Sequence, residues 1–111
     1  MEGTVITMPA VALRGLTVFP AMMIHFDINR KRSVAAVEKA MVSDQKVFLV
    51  TQRQPEVVEP GLPDLYQVGT IALVKQMVKL PGGNIRVMVE GLKRAELLDL
   101  DSEDPMLMAR I

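Results

Sequence analysis

Cysteine and tryptophan are absent from this chain, histidine occurs once, and aromatic residues make up only 4% of it. Without cysteine there is no disulfide, no thiolate nucleophile and no cysteine-ligated metal. With His25 alone there is no Cys–His dyad, and a metal site would lack a second imidazole. Charge of one sign is also missing: 13 basic residues face 13 acidic ones. No global field draws the chain to nucleic acid or to an anionic membrane. No apolar run reaches the ~18–20 residues needed to span a bilayer. The opening Met1-Glu2-Gly3-Thr4 lacks the basic region and apolar core of a secretory signal. These absences lead us to expect a soluble, cytoplasmic chain.

Motifs for catalysis are missing as well. There is no GxxxxGK[ST] phosphate loop and no GxSxG elbow. Ser33, Ser43 and Ser102 stand in no recognisable catalytic setting. Carboxylates gather only at Asp99, Asp101, Glu103 and Asp104. That run reads as a solvated turn rather than an acid–base pair or a calcium site. We therefore expect no catalytic residue, no metal site and no cofactor within the chain.

What is present is enough for one globular domain, 1–111. Hydrophobic residues are 50% and charged residues 23% of 111 residues. A chain of this size buries roughly two-thirds of its unfolded surface. Nine methionines supply flexible, polarisable side chains that suit either irregular cores or surfaces accepting many partners.

Alternation predicts strands over 4–13, with Pro9 at an edge or bulge, and over 23–28. In the second, Ile24, Phe26 and Ile28 share one side while Met23, His25 and Asp27 share the other. Asn29 suits a helix N-cap. Val34, Val37 and Met41 then recur at helical spacing, and Ala35, Ala36 and Ala40 add propensity, so a helix is predicted at about 30–43. Arg30, Lys31 and Arg32 crowd its first turn against the helix dipole. Such a cluster serves either as a contact surface or as a solvated, paired turn. The apolar run 47–51 predicts a central strand. Three prolines make 54–64 a rigid loop. The acidic turn 101–105 leads to a further strand, 106–111. A chain that stops inside a strand is expected to be a fragment of a longer protein.

The stretch 75–95 predicts a long hairpin about Pro81-Gly82-Gly83-Asn84. With the turn centred on Gly82-Gly83, Leu80 faces Ile85, Val78 faces Val87, Gln76 faces Val89 and Val74 faces Gly91. That face is assigned to the core. The other face pairs Lys79 with Arg86, Met77 with Met88, Lys75 with Glu90 and Leu73 with Leu92. Two opposed methionines between charged pairs form a soft apolar strip. It either meets a partner or packs against the rest of the protein.

Four of these segments, in order, resemble the N-terminal domain of the Lon ATP-dependent proteases. Residues 12–28, ALRGLTVFPAMMIHFDI, resemble the family's P-L-R-x-x-V-x-F-P-x-M stretch, with Ala12 in place of the usual proline. The helix start RKRS is similar to the family's R-x-K-S, with Arg32 where lysine is common. DLYQVGT, 64–70, and the hairpin QMVKLPGGNIRVMVEGLKRA complete the match. The resemblance implies an α+β, mostly β fold: a PUA-like pseudo-barrel of about six short strands in small sheets with one helix. It also implies a following helical segment, and ATPase and Ser-Lys protease modules elsewhere in a hexameric parent, with ATP and Mg²⁺ in the ATPase module.

The resemblance further implies a non-catalytic domain that helps select damaged, unfolded or degron-tagged proteins. Candidate substrate-binding residues are Leu73, Met77, Met88 and Leu92, rimmed by Lys75, Lys79 and Arg86, with Arg30, Lys31 and Arg32 as a second contact. Two other readings remain. A stand-alone PUA-like module could bind RNA or a small ligand, against which the neutral charge argues. A self-association module could serve the hexamer.

Overall fold

The computed structural model describes residues 5–111. Its elements are β1 (Thr7–Leu13), β2 (Met23–Ile28), α1 (Lys31–Met41), β3 (Lys46–Thr51), β4 (Val68–Lys79), β5 (Ile85–Glu96), β6 (Asp99–Ser102) and β7 (Leu107–Arg110). β3 is an unbroken apolar run, and a strand apolar on both faces must be covered on both. It is the fourth strand of seven in one sheet of order β2-β5-β4-β3-β1-β7-β6. Val47 and Leu49 enter one cluster, with Val11, Leu13, Val74, Val87 and Val89. Phe48 and Val50 enter a second, with Ala10, Ile71, Leu107 and Ala109. The fold is mostly β with one helix, as expected. The strands number seven rather than about six, and they form one hydrogen-bonded sheet rather than several small ones.

β1 lies parallel to β3 and antiparallel to β7. The predicted start of this strand, Thr4, lies outside the described residues. Pro9 sits in an interior strand but at a locally open position. Ile6 and Ile111 exchange both backbone hydrogen bonds. By alternation, Pro9 opposite Met108 is then a non-bonded pair whose nitrogen points away from β7. On that other side the β3 ladder begins only at Ala10, so the missing N–H breaks no bond.

The helix buries Ser33, Ala36, Val37 and Ala40, spaced so that they form one stripe. Its start corrects the sequence reading. Asn29 is not the N-cap. Arg30 takes that place, extended at φ −72° and ψ 140°, without a side-chain cap bond. The reason is anchorage: Arg30 donates through Nη2 to the Ala12 carbonyl at 2.7 Å and through Nη1 to the Val58 carbonyl at 3.1 Å.

The hairpin register differs from the predicted one. Pro81, Gly82 and Gly83 form a turn with both glycines at φ +84°, a conformation that side chains disfavour. The turn therefore takes three residues, closed by the Leu80 N–H on the Asn84 carbonyl at 2.8 Å. Lys79, not Leu80, faces Ile85, and Met77 faces Val87. The register shifts again between Val74 and Gln76, leaving Lys75 as a bulge, so Gln76 faces Met88 and Val74 faces Val89. A second irregularity lies between the Ile71 and Ala72 pairs, and the residue it leaves out is Leu92.

Beside that second bulge the 18–22 segment crosses β5. Ala21 donates to the Gly91 carbonyl at 2.9 Å, and Gly91 donates to the Met22 carbonyl at 2.8 Å. A Cβ at position 91 would collide with the Phe19 carbonyl oxygen and the Pro20 backbone. Backbone cannot swing aside as a side-chain end can. Gly91→Ala is expected to destabilise the chain by about 1–3 kcal/mol, as overpacking does. Its urea midpoint falls while the slope of the transition is unchanged.

Candidate functional site

The sheet facing away from the core at the hairpin end is built from three strands, β2, β5 and β4. On β5, Ile85, Val87 and Val89 are buried, so Arg86, Met88 and Glu90 point outward. β2 places Asp27 beside Arg86, His25 beside Met88 and Met23 beside Glu90. On the other flank β4 places Val78 beside Arg86, Gln76 beside Met88 and Leu73 beside Glu90. The outward face is therefore a three-by-three array. Met88 is its centre, Met23 and Leu73 lie at two of its corners, and Val78 lies at a third. Met23 is 59% exposed and Val78 42%.

Ion pairs bracket this array. Arg86 Nε donates to Asp27 Oδ1 at 2.9 Å, and its Nη2 to Oδ2 at 3.3 Å. Lys75, lifted outward by the bulge, meets Glu90 at 3.4 Å. The hydrogen bond from Arg86 is the chief reason the Asp27 carboxyl is held below the ordinary carboxylate range. The same pair raises the Arg86 guanidinium. The array thus keeps soft apolar side chains between compensated charges rather than within a cationic rim.

The predicted residues divide among several places. Leu73, Lys75, Arg86 and Met88 share the outward face. Met77 does not: opposite Val87, it packs partly buried against the first core cluster. Leu92 is 40% exposed and occupies the second bulge. Lys79 is exposed at the tip. Sequence reasoning missed Met23 and Val78. The alternation within β2 already put Met23, His25 and Asp27 together, but nothing in the sequence aligned β2 with β5.

Arg30, Lys31 and Arg32 stand apart from this face, at the mouth of a groove of about 550 Å³. Ala10, Ala12, Val58, Pro60, Pro105 and Leu107 give it an apolar lining. Arg32 is largely covered and meets Glu59 at 3.1 Å, Asp104 at 3.2 Å and Glu103 at 3.9 Å. Burial and the nearby Arg14 lower the Arg30 guanidinium from its ordinary value. Two of the three cations therefore serve the fold, and of the three only Lys31 is exposed. The acidic turn is paired too: Arg110 meets Asp99 at 2.7 Å and Asp101 at 3.3 Å. Among the described residues, no group of three or more His, Cys, Asp or Glu side chains is placed to hold a metal ion. None of the described helices is long and apolar enough to cross a membrane.

These geometries give two expected outcomes. Arg30→Ala strands the Ala12 carbonyl and is expected to cost about 1–3 kcal/mol, whereas Lys31→Ala stays within about 0.5 kcal/mol; thermal unfolding of both variants compares them. The second concerns acid. Asp27 titrates lower in the folded chain than its unfolded value of roughly 3.9. Its contribution is complete above that value and disappears as pH falls through the lower folded one. Asp27→Asn is expected to flatten the acid limb of stability below about pH 4, read by urea unfolding across a pH series.

The description of the protein-family model that matches residues 7–111 is the substrate-binding domain of ATP-dependent protease La (LON). Lon protease of Heliobacterium modesticaldum is 48% identical over 108 residues, covering 97% of this chain and 13% of that protein. Lon protease of Lachnoclostridium phytofermentans is 55% identical over 104 residues, covering 94% and 13%. Lon protease 1 of Bacillus subtilis is 46% identical over 98 residues, covering 88% and 13%. The chain thus spans about one-eighth of the length of these relatives. Among solved structures, the N-terminal domain of a Mycobacterium avium complex Lon protease superposes with a TM-score of 0.73 at 18% identity, over 95% of this chain and 52% of that one. A Lon N-terminal domain protein from Xanthomonas campestris gives 0.71 at 12%, over 96% and 57%. At these identities the two structures speak for the fold, and the family model and relatives speak for descent: the chain belongs to the Lon substrate-binding domain family.

Proposed function

We propose that this chain is the non-catalytic substrate-recognition part of an ATP-dependent Lon protease. It binds exposed apolar segments of damaged, unfolded or degron-tagged proteins weakly and with little sequence preference. ATP and Mg²⁺ act, on this reading, in a separate ATPase module, and the cut is made by a separate Ser-Lys protease module. The parent is a cytoplasmic hexamer, and this domain contributes to its assembly.

The observation that carries the reading is the outward array on β2, β5 and β4. Met88, Met23, Leu73 and Val78 offer adaptable apolar area, and methionine suits partners of varied shape. Leu92 extends the apolar surface at the second bulge. Lys75 and Arg86 beside it are held by Glu90 and Asp27, and Lys79 at the tip favours clients with an acidic flank. Met77 supports the array from the core side. Arg30 and Arg32 serve mainly to fix the start of α1, leaving Lys31 as the exposed cation there. Arg32, Arg86 and Arg110 are paired with carboxylates, and 13 basic residues balanced by 13 acidic ones offer RNA no net attractive field.

Met23→Ser with Met88→Ser is the direct test, read with carboxymethylated lactalbumin as an unfolded client. A loss of about 1.4 kcal/mol, or tenfold in Kd, is the expected size for withdrawing two partly covered methionines. Raising salt from 50 to 200 mM leaves the wild-type affinity within a few-fold, whereas RNA binding through phosphates falls steeply. Client affinity unchanged in the folded double variant would overturn the reading.

A further inference from the structure

Resting on that reading, we infer that the unpaired edge of β4 between Lys75 and Lys79 takes up an extended segment of the client as an added β-strand. β5 pairs with β4 along its whole length, but β3 covers only Thr70–Leu73. Gln45 ends that coverage. Its carbonyl accepts the Val74 N–H at 2.7 Å, and its side-chain amide donates to the Val74 carbonyl at 2.9 Å. Beyond Val74, no strand among the described residues pairs with this side of β4.

The direction of the free groups follows from the bonds that are made. Leu80 donates to Asn84. In an antiparallel ladder bonded and non-bonded pairs alternate, so Val78 with Arg86 and Gln76 with Met88 are the bonded pairs. β2 gives the same answer from the other flank: the Gly91 N–H bonds the Met22 carbonyl, so the odd positions of β5 serve β2 and the even ones serve β4. Met77 and Lys79 therefore direct their N–H and C=O groups away from β5. Two donors and two acceptors, two residues apart, are what an extended chain can satisfy. Five residues of edge are about 17 Å long.

Charge selects the occupant. Lys75 is neutralised by Glu90, whereas no ion pair of Lys79 occurs among the described residues. A second copy paired antiparallel about Met77 brings position 75 opposite Lys79, a lysine already held by Glu90, and so supplies Lys79 with no acid. A foreign extended segment with an acidic residue opposite Lys79 does supply one. Because the contacts run through the backbone, one edge accepts many sequences, as a recogniser of unfolded proteins requires. The end strands β2 and β6 offer the alternative edges, but their acids Asp27, Asp99 and Asp101 are already held by Arg86 and Arg110.

Amide exchange of the ¹⁵N-labelled chain, with and without carboxymethylated lactalbumin, tests the inference. With client at ten times its Kd, the Met77 and Lys79 amides are expected to exchange about tenfold more slowly. Lys79→Pro removes one outward donor at a position where proline is tolerated, and is expected to abolish the protection of the Met77 amide and weaken binding. Lys79→Gln keeps the protection. Client bound while both amides exchange as in the free chain overturns the edge and leaves the recognition reading standing. Protection that appears without client and grows with chain concentration assigns the edge to a second copy and overturns the inference too. Absence of any client binding by the wild-type chain overturns both readings.

Discussion

The pairing of β4 with β5 is the constraint on which the remaining structure rests. β2 joins the sheet only through β5, and β3 reaches β5 only through β4. The registers of β2 and β3 are fixed by where this hairpin puts its side chains. Its two bulges then act as set screws. A strand slip of one residue exchanges the two faces, so each bulge re-aims everything beyond it. The shift between Val74 and Gln76 sends Lys75 outward to Glu90 and keeps Val74 in the core. The irregularity near Gly91 lets β5 receive the 18–22 segment at close range. Glycine there is a requirement of contact, since the Phe19 carbonyl of that segment occupies the space of a Cβ.

Much of this was legible from local pattern. β3, β2, the helix and the hairpin's existence follow from period and turn chemistry, because each of those signals is local. The continuous apolar run 47–51 even identified the central strand. Register was not legible, because the choice between a two-residue and a three-residue turn lies in the φ of Gly82 and Gly83, and both options suit glycine. That one residue separated Met77 from Met88. The helix start was misread for a related reason. Asn29 has the right chemistry for a cap, but Arg30 is held by two carbonyls far away in sequence, at Ala12 and Val58, which no local rule can see. The partner that does flank Met88, His25 of β2, is likewise a matter of strand alignment.

The neutral net charge conceals a definite arrangement. Arg32, Arg86 and Arg110 each engage acids from a distant segment or a neighbouring strand. Exposed pairs of this kind contribute little stability individually. Their larger effect is on what the surface offers. The basic cluster at the helix start, which sequence alone presents as a contact site, is largely consumed by Ala12, Val58, Glu59 and Asp104. The acidic run 99–104 is consumed in turn by Arg110 and Arg32. Of the cations at the helix start only Lys31, and of those at the hairpin end only Lys79, has neither an ion pair nor a side-chain hydrogen bond among the described residues.

On the proposed reading, this local pairing bears on how a recogniser of unfolded chains can be selective for state without being selective for sequence. A strongly charged surface would sort clients by charge, and a large dry apolar patch would aggregate. The hairpin end avoids both. Its outward face offers methionines and aliphatic residues broken up by neutralised pairs, so each contact is weak and adaptable. Its β4 flank offers backbone groups, which a folded protein cannot meet because its own are already paired. An unfolded segment has both exposed apolar side chains and unpaired backbone. Two weak requirements met at adjoining surfaces multiply, and only a chain that has lost its structure satisfies them together.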